Sequence, residues 1–258
     1  MRHRAIQNQE VYSLLDDSGL KVDAAAVLDG GRELYCQSRL EGVNHITLKN
    51  GQKDKLLQYL TARWGHTGQT SLVVGWAGTR VVCANTLAHA TLEAIASEGS
   101  ARVKHTESAQ LKLVDLKAAI KQAASAREAL LKTYQNMANK QASPALVQAT
   151  LAVAFPNKML DGDINAAPTE SNKETSTTGA TKAMNLRNRV SQILQAGEYN
   201  TPTDGSVWGL FQAISAYASH ESIVRGKTGA QAQTSRWLRS TIDGDKTTEL
   251  AYQFLVRQ

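Results

Sequence analysis

Thiols are scarce in this chain: Cys36 and Cys83 are the whole cysteine complement of 258 residues. Both sit in apolar, strand-like or strand-to-helix surroundings, so they read as reduced, buried thiols and exclude a disulfide framework. Aromatic residues make up only 5% while apolar residues reach 42%, so the core must rest mainly on Ala, Leu and Val. No apolar run approaches the ~18 residues that cross a bilayer. The opening MRHRAIQNQE carries charge with no hydrophobic stretch behind it, which is not the pattern of a signal peptide. These features suit a cytoplasmic protein with no membrane partner.

Catalytic signatures are missing as well. There is no GxxxxGK[ST] to cradle a nucleotide, and the histidines show neither HxxxH nor CxxC spacing. A nuclease needs clustered carboxylates to hold Mg²⁺, but the β-rich half has scattered acids, and Asp161 and Asp163 fall in a polar loop. No GxSxG elbow marks a serine nucleophile. The expectation is a protein without catalytic residues, metal, cofactor or small-molecule substrate.

What is present begins with Leu56–Leu92, around which the rest is organised. LLQYLTARW alternates as a strand does, and Gly65-His66-Thr67-Gly68-Gln69 supplies a loop. Ser71–Trp76 is short and β-branched, as in a buried strand that Gly78 ends. Thr79–Leu87 then leads into AHATLEAIA, of helix-forming composition. Ahead of this stretch, Arg4–Asn8 reads as a short edge strand. Asn8 can cap a helix through Asp16 with Val11, Leu14 and Leu15 inward. Val22–Asp29 and Glu33–Leu40 form a hairpin at Gly30-Gly31, and Val43–Lys49 is a third strand.

Beyond it, Ala101–Thr106 is a further strand. A long helix follows from Thr106 to Asn139, with a seam at Leu113, Leu116, Ile120, Ala123, Leu130, Tyr134 and Met137 that Arg127 interrupts. This helix either lies on its own sheet or pairs with another chain. Ser143-Pro144 opens a shorter helix that Pro156 stops. Residues 157–180 are rich in Thr, Ser and Asn and read as a flexible loop. Helices resume near Lys182, after a cap at Thr203 or Asp204, and over Thr247–Val256. The fold class is therefore α+β: an N-terminal antiparallel β-meander packed on a long helix, then a helical C-terminal half. The expected division is 1–140 and 141–258.

The charge balance points to an anionic partner. Lys and Arg total 29 against 23 acids, a net +6 with a pI near 9.3. Arg63, His66, Arg80, Arg102, Lys104 and His105 flank or lie in the strands, where such groups contact phosphates without reading bases. Tyr59, Trp64 and Trp76 could stack on bases; core packing is the alternative for the tryptophans. For Arg80 and Asn85 the structural alternative is a carboxylate partner and a helix cap.

Several stretches resemble a phage- and plasmid-borne family of unknown function labelled "phage/plasmid-like protein". They are Gln7-Asn8-Gln9-Glu10, Leu28-Asp29-Gly30-Gly31-Arg32, Thr79–Leu87, Arg102-Val103-Lys104-His105-Thr106, Ser206–Ile214 and Tyr217-Ala218-Ser219-His220. An N-terminal Trp-His-Gly element common in that family is not found here, which reads as a short or truncated member. At the level of fold alone, a basic β-meander followed by a helix is similar to the single-strand annealing families Redβ, RecT and Erf. That likeness implies an oligomeric ring or filament that anneals single-stranded DNA in phage or plasmid recombination, in the bacterial cytoplasm, without ATP or metal. The DNA-binding residues would then be Arg63, Trp64, His66, Arg80, Asn85, Arg102 and Lys104. The alternative is an accessory factor that binds proteins, such as an antagonist of host defence.

Overall fold

The computed structural model describes residues 5–42, 44–66, 71–80, 86–87, 101–103, 128–157, 173–238 and 245–258. They fall into two compact units. The first is drawn from Met1–Ile46 and Asp54–Thr133, the second from Thr47–Lys53, Tyr134–Arg239 and Asp245–Gln258. With strands in the N-terminal half and helices in the C-terminal half, the class is α+β.

The first unit opens with helix α1, Asn8–Asp17. Its N-cap is Gln7, whose N–H donates to Glu10 Oε2 at 2.8 Å. Asn8, expected as the cap, is used elsewhere. Gly19, at φ +74°, lets the chain leave in the left-handed conformation, and Leu20 N–H returns to Leu15 O at 3.0 Å. The edge strand expected over Arg4–Asn8 is not found: Ala5–Gln7 carry no ladder, and Asn8 already starts the helix.

Strands β1 (Ala24–Leu28), β2 (Glu33–Arg39), β3 (Asn44–Thr47), β4 (Lys53–Gly65), β5 (Leu72–Arg80), β6 (Thr86–Leu87) and β7 (Ala101–Val103) form one sheet. Its order is β1-β2-β4-β5-β6, with β3 also on β4 and β7 also on β5. The pairs β1–β2, β2–β4, β4–β5, β5–β6 and β5–β7 are all antiparallel. The hairpin between β1 and β2 turns where it should, with Gly30 at φ +62° and Gly31 at +94°. Strand β4 is the spine, 13 residues long. Strand β5 runs through Gly78 rather than stopping there, because Gly78 pairs with both Gln58 and Leu87 and both ladders hold it extended.

One face of this sheet is the core of the unit. Cys36, Leu60, Ala62, Trp64, Leu72 and Val74 pack with Ile6, Val11, Leu14 and Leu15 around α1. Cys36 is fully enclosed, and burial pushes its thiol up to about 12, so it remains a protonated packing group. Cys83 and the helix expected over AHATLEAIA lie outside the described residues.

Residues 128–139 are helical (α2), and from Tyr134 onward they belong to the second unit. The rest of the long helix expected from Thr106 lies outside the described residues, as does 158–172 of the expected loop. Residues 173–180 of that loop are helical: helix α4 runs Lys173–Ala196, starting well before Lys182. Helix α3 spans Pro144–Ala154, with Ser143 Oγ accepting from Leu146 N–H at 3.2 Å. Helices α5 (Val207–Ala216), α6 (Gly229–Leu238) and α7 (Lys246–Val256) complete it.

The scarce aromatics are concentrated here. Tyr134 lies 4.9 Å from Trp208 and 6.3 Å from Tyr252, and Phe211 lies 5.7 Å from Tyr252. All ten residues of α5 are buried, so it is the central helix of the described part of this unit. Its cap is Ser206, whose Oγ accepts from Gly209 N–H at 3.1 Å. Thr203 and Asp204, the two caps expected, both precede it, and Asp204 instead accepts from Ser206 Oγ at 2.6 Å and orients it. Asp204 also accepts from Lys49 N–H at 3.1 Å, and Gln135 brackets Thr47 with two 2.9 Å bonds. Those bonds are what tie the hairpin tip 47–53 into this unit.

Candidate nucleic-acid interface

Strand β4 alternates, as a strand with one covered face must. Leu56, Leu60, Ala62 and Trp64 face the core, while Lys53 and Lys55 are exposed and Leu57, Tyr59 and Arg63 half-buried. The opposite phase carries the polar chemistry. Register places Arg39 opposite Tyr59 and Tyr35 opposite Arg63. Across β5, Val73 stands opposite Arg63 and also opposite Arg102. Arg63 and Arg102 therefore occupy one row of the sheet. Arg80 is in register with Leu56.

The residues named from the sequence fare differently. Arg63 is committed to Glu33: Nη2 and Nε both donate to Glu33 Oε2, at 2.6 and 3.1 Å. With both side chains less than a third exposed, this pair spends much of the cation's charge inside the fold. Trp64 is fully buried, its ring edge-on to Tyr12 at 5.8 Å and its Nε1–H donated to Asn8 Oδ1 at 2.9 Å. It presents no ring face to a base; packing is its role, because β4 turns that position inward. His66 is half-buried at the end of β4, with its N–H donated to Arg32 O at 3.2 Å. Asn85 and Lys104 lie outside the described residues.

Arg39, Lys53 and Lys55, which the sequence did not single out, are the exposed cations of this phase on β2 and β4. Tyr59 lies among them. On β2 and β4 the acid in this phase is Glu33, already spoken for by Arg63, while Asp54 and Gln58 are turned to the buried side. Tyr35 is enclosed at 3% exposure, its hydroxyl donating to Gln37 Oε1 at 3.1 Å, so of the rings on β2 and β4 it is Tyr59 that is half-exposed. Simple period-two counting from Trp64, once that residue is assigned to the core, would have picked out Lys53, Lys55 and Tyr59.

A second polar constellation, in the helical unit, also escaped sequence reasoning. Arg189 on α4 donates from Nη1 to Glu198 Oε1 at 2.8 Å and from Nε to Glu221 Oε2 at 2.7 Å, holding both carboxyls below their usual range. Tyr199 Oη donates to Glu221 at 2.7 Å, and its ring stacks on His220 with centroids 4.5 Å apart. Tyr199 and Asn200 have φ of +54° and +55°, a conformation costing on the order of 1–2 kcal/mol per residue. Tyr217–Glu221 form a π turn at the end of α5. Burial, then the nearby Arg236 charge, keeps His220 below its ordinary value, hence neutral near pH 7. Both acids are ionised and clamped by one guanidinium. It works as a brace on two irregular backbone segments. Long-range pairing of this kind leaves no local pattern to read.

Among the described residues, no group of three or more His, Cys, Asp or Glu is placed to hold a metal ion. None of the described helices is long and apolar enough to cross a membrane. The described residues define an α+β protein in which β4 alternates between a buried row and a row that carries Lys53, Lys55, Tyr59 and Arg63. The chain belongs to the family described as a domain of unknown function, DUF932, whose model matches residues 1–241. No curated protein and no solved structure matches it.

Proposed function

We propose that this chain binds single-stranded DNA along the polar face of β2 and β4 and anneals strands in phage or plasmid recombination, as a homo-oligomer, in the bacterial cytoplasm and without ATP or metal. The observation that carries the reading is Arg39 in register with Tyr59, with exposed Lys53 and Lys55 in the same phase of β4. Single-strand binders combine cations that track phosphates with rings on which bases stack, and neither element reads sequence. The net charge of +6 acts in the same direction.

Titration of a fluorescein-labelled poly-dT oligonucleotide, followed by anisotropy, tests it. Tyr59→Ala is expected to cost about 1–3 kcal/mol of affinity, roughly 5- to 150-fold, while leaving the circular dichroism spectrum unchanged. Wild-type protein that leaves the oligonucleotide unbound refutes the proposal and favours an accessory factor that binds proteins. Unchanged affinity in Tyr59→Ala refutes the assignment of the face.

A further inference from the structure

We infer that residues 198–204 form a strap in the helical unit that opens without unfolding it, held shut by the Arg189 clamp, and that opening bares the side-chain amide of Gln212. The segment runs along α5. At one end Tyr199 Oη donates to Glu221 at 2.7 Å and its ring stacks on His220, both in the π turn that follows α5. Toward the other end Pro202 O lies so close to α5 that a Cβ at Gly209 would stand 2.4 Å from it. Gln212 is one turn beyond Gly209 on the same side of the helix, and so beneath the path between these two anchors.

Several features oppose closure. Tyr199 and Asn200 hold φ of +54° and +55°, a strained conformation for a bulky residue such as Tyr199. Gln212 is fully buried, and among the described residues neither its Nε2 nor its Oε1 has a hydrogen-bond partner. Thr201 Oγ1, in the strap itself, is buried in the same condition. Buried polar atoms are paired in the large majority of cases, and leaving them unpaired is costly. Opening returns these three atoms to water and relaxes the turn. Closure is held by Arg189, whose Nη1 and Nη2 donate to the two carboxylate oxygens of Glu198 on the strap at 2.8 and 2.5 Å, and whose Nε donates to Glu221 at 2.7 Å. Arg189 and Glu198 are each about a third exposed, so water can reach the clamp while α5 stays covered. Gly197 and Gly205, at φ +66° and +71°, bracket the strap, and glycine absorbs backbone rotation that other residues resist. Few contacts across a strained segment give local opening a lower free energy than unfolding of the whole unit.

Thiol labelling of the full chain by iodoacetamide, without denaturant and located by peptide mass mapping, is the test. Thr201→Cys places a thiol under the strap. Ala213→Cys and Ala216→Cys, at fully buried positions on α5, report unfolding of the unit as a whole. Position 201 is expected to label at least about tenfold faster than positions 213 and 216. Adding Arg189→Met to Thr201→Cys should quicken labelling at 201 by about tenfold, because the clamp is gone. Adding Gln212→Met, of similar length but without the amide, should slow it by about tenfold, because closure then leaves no amide unpaired. Gln212→Leu is a second variant with the same expected effect. Equal rates at 201, 213 and 216 overturn the inference, since the segment then moves only with the whole unit. An unchanged rate at 201 in Arg189→Met, or in both Gln212 variants, overturns it as well. No DNA is present, so the outcome is independent of the function proposed above.

Discussion

Replacing Asn8 with alanine tests the core assignment of Trp64 at its most specific point. Trp64 is fully buried, and its indole N–H has Asn8 Oδ1 at 2.9 Å. Asn8→Ala removes the acceptor and leaves a buried donor unpaired, which costs about 1–3 kcal/mol. Trp64→Phe removes the donor together with part of the ring, so Asn8 loses its partner but stays within reach of water at its half-buried position. Once Trp64 is Phe, Asn8→Ala should cost much less, and the coupling in a double-mutant cycle should be on the order of 1 kcal/mol. Trp64→Ala also empties the site and should cost about 3–5 kcal/mol, a large share of the ~5–15 kcal/mol that holds a typical domain together. Urea unfolding followed by tryptophan-independent circular dichroism reads all four variants. If Asn8→Ala and Trp64→Phe are additive, the two groups do not meet. If Trp64→Ala keeps wild-type stability while DNA affinity falls, the ring is a stacking surface and the packing described here is wrong.

Three further outcomes follow from particular contacts. A Cβ at Gly209 would stand 2.4 Å from Pro202 O, so Gly209→Ala must displace backbone and should cost about 1–3 kcal/mol, read as a lowered melting temperature; an unchanged value contradicts the close approach. Glu198, Glu221 and His220 all have folded values below their ordinary 4.5, 4.5 and 6.5, so the unfolded chain binds more protons within those windows and stability must fall as pH falls. The decline should begin below about pH 6.5 with His220 and steepen below about 4.5. Arg189→Met should melt earlier than wild type at pH 7, and the gap should narrow below pH 4.5 as the carboxyls protonate; a gap independent of pH removes the brace.

Much of the fold was legible because local chemistry specified it. Gly30-Gly31 marked the β1–β2 turn, Ser143-Pro144 the start of α3, and the alternation over residues 56–64 most of β4. Reading failed where a distant partner decided the outcome. Gly78 looks like a break until two flanking strands hold it extended. Asn8 looks like a cap until Trp64, 56 residues away, recruits its side chain. Helix α5 looks one-sided because its spacing cannot show that neighbours close over every face. In the candidate site, residue type is legible in the sequence while phase has to be counted from a core position. Arg63 and Trp64 are adjacent and point to opposite faces, so one groove could not have held both. Arg39, Lys53 and Lys55 follow only after the register of β2 on β4 is known.

The salt dependence of single-stranded DNA affinity tests the central claim most directly. A phosphate neutralised on a single strand contributes roughly −0.7 to the slope of log K against log salt. Arg39→Ala and Lys55→Ala should each flatten the wild-type slope by about that amount, weakening all sequences alike. Arg63→Ala should change it much less, because that guanidinium already serves Glu33. The account predicts that order. A slope flattened by Arg63→Ala and untouched by Arg39→Ala and Lys55→Ala would contradict it.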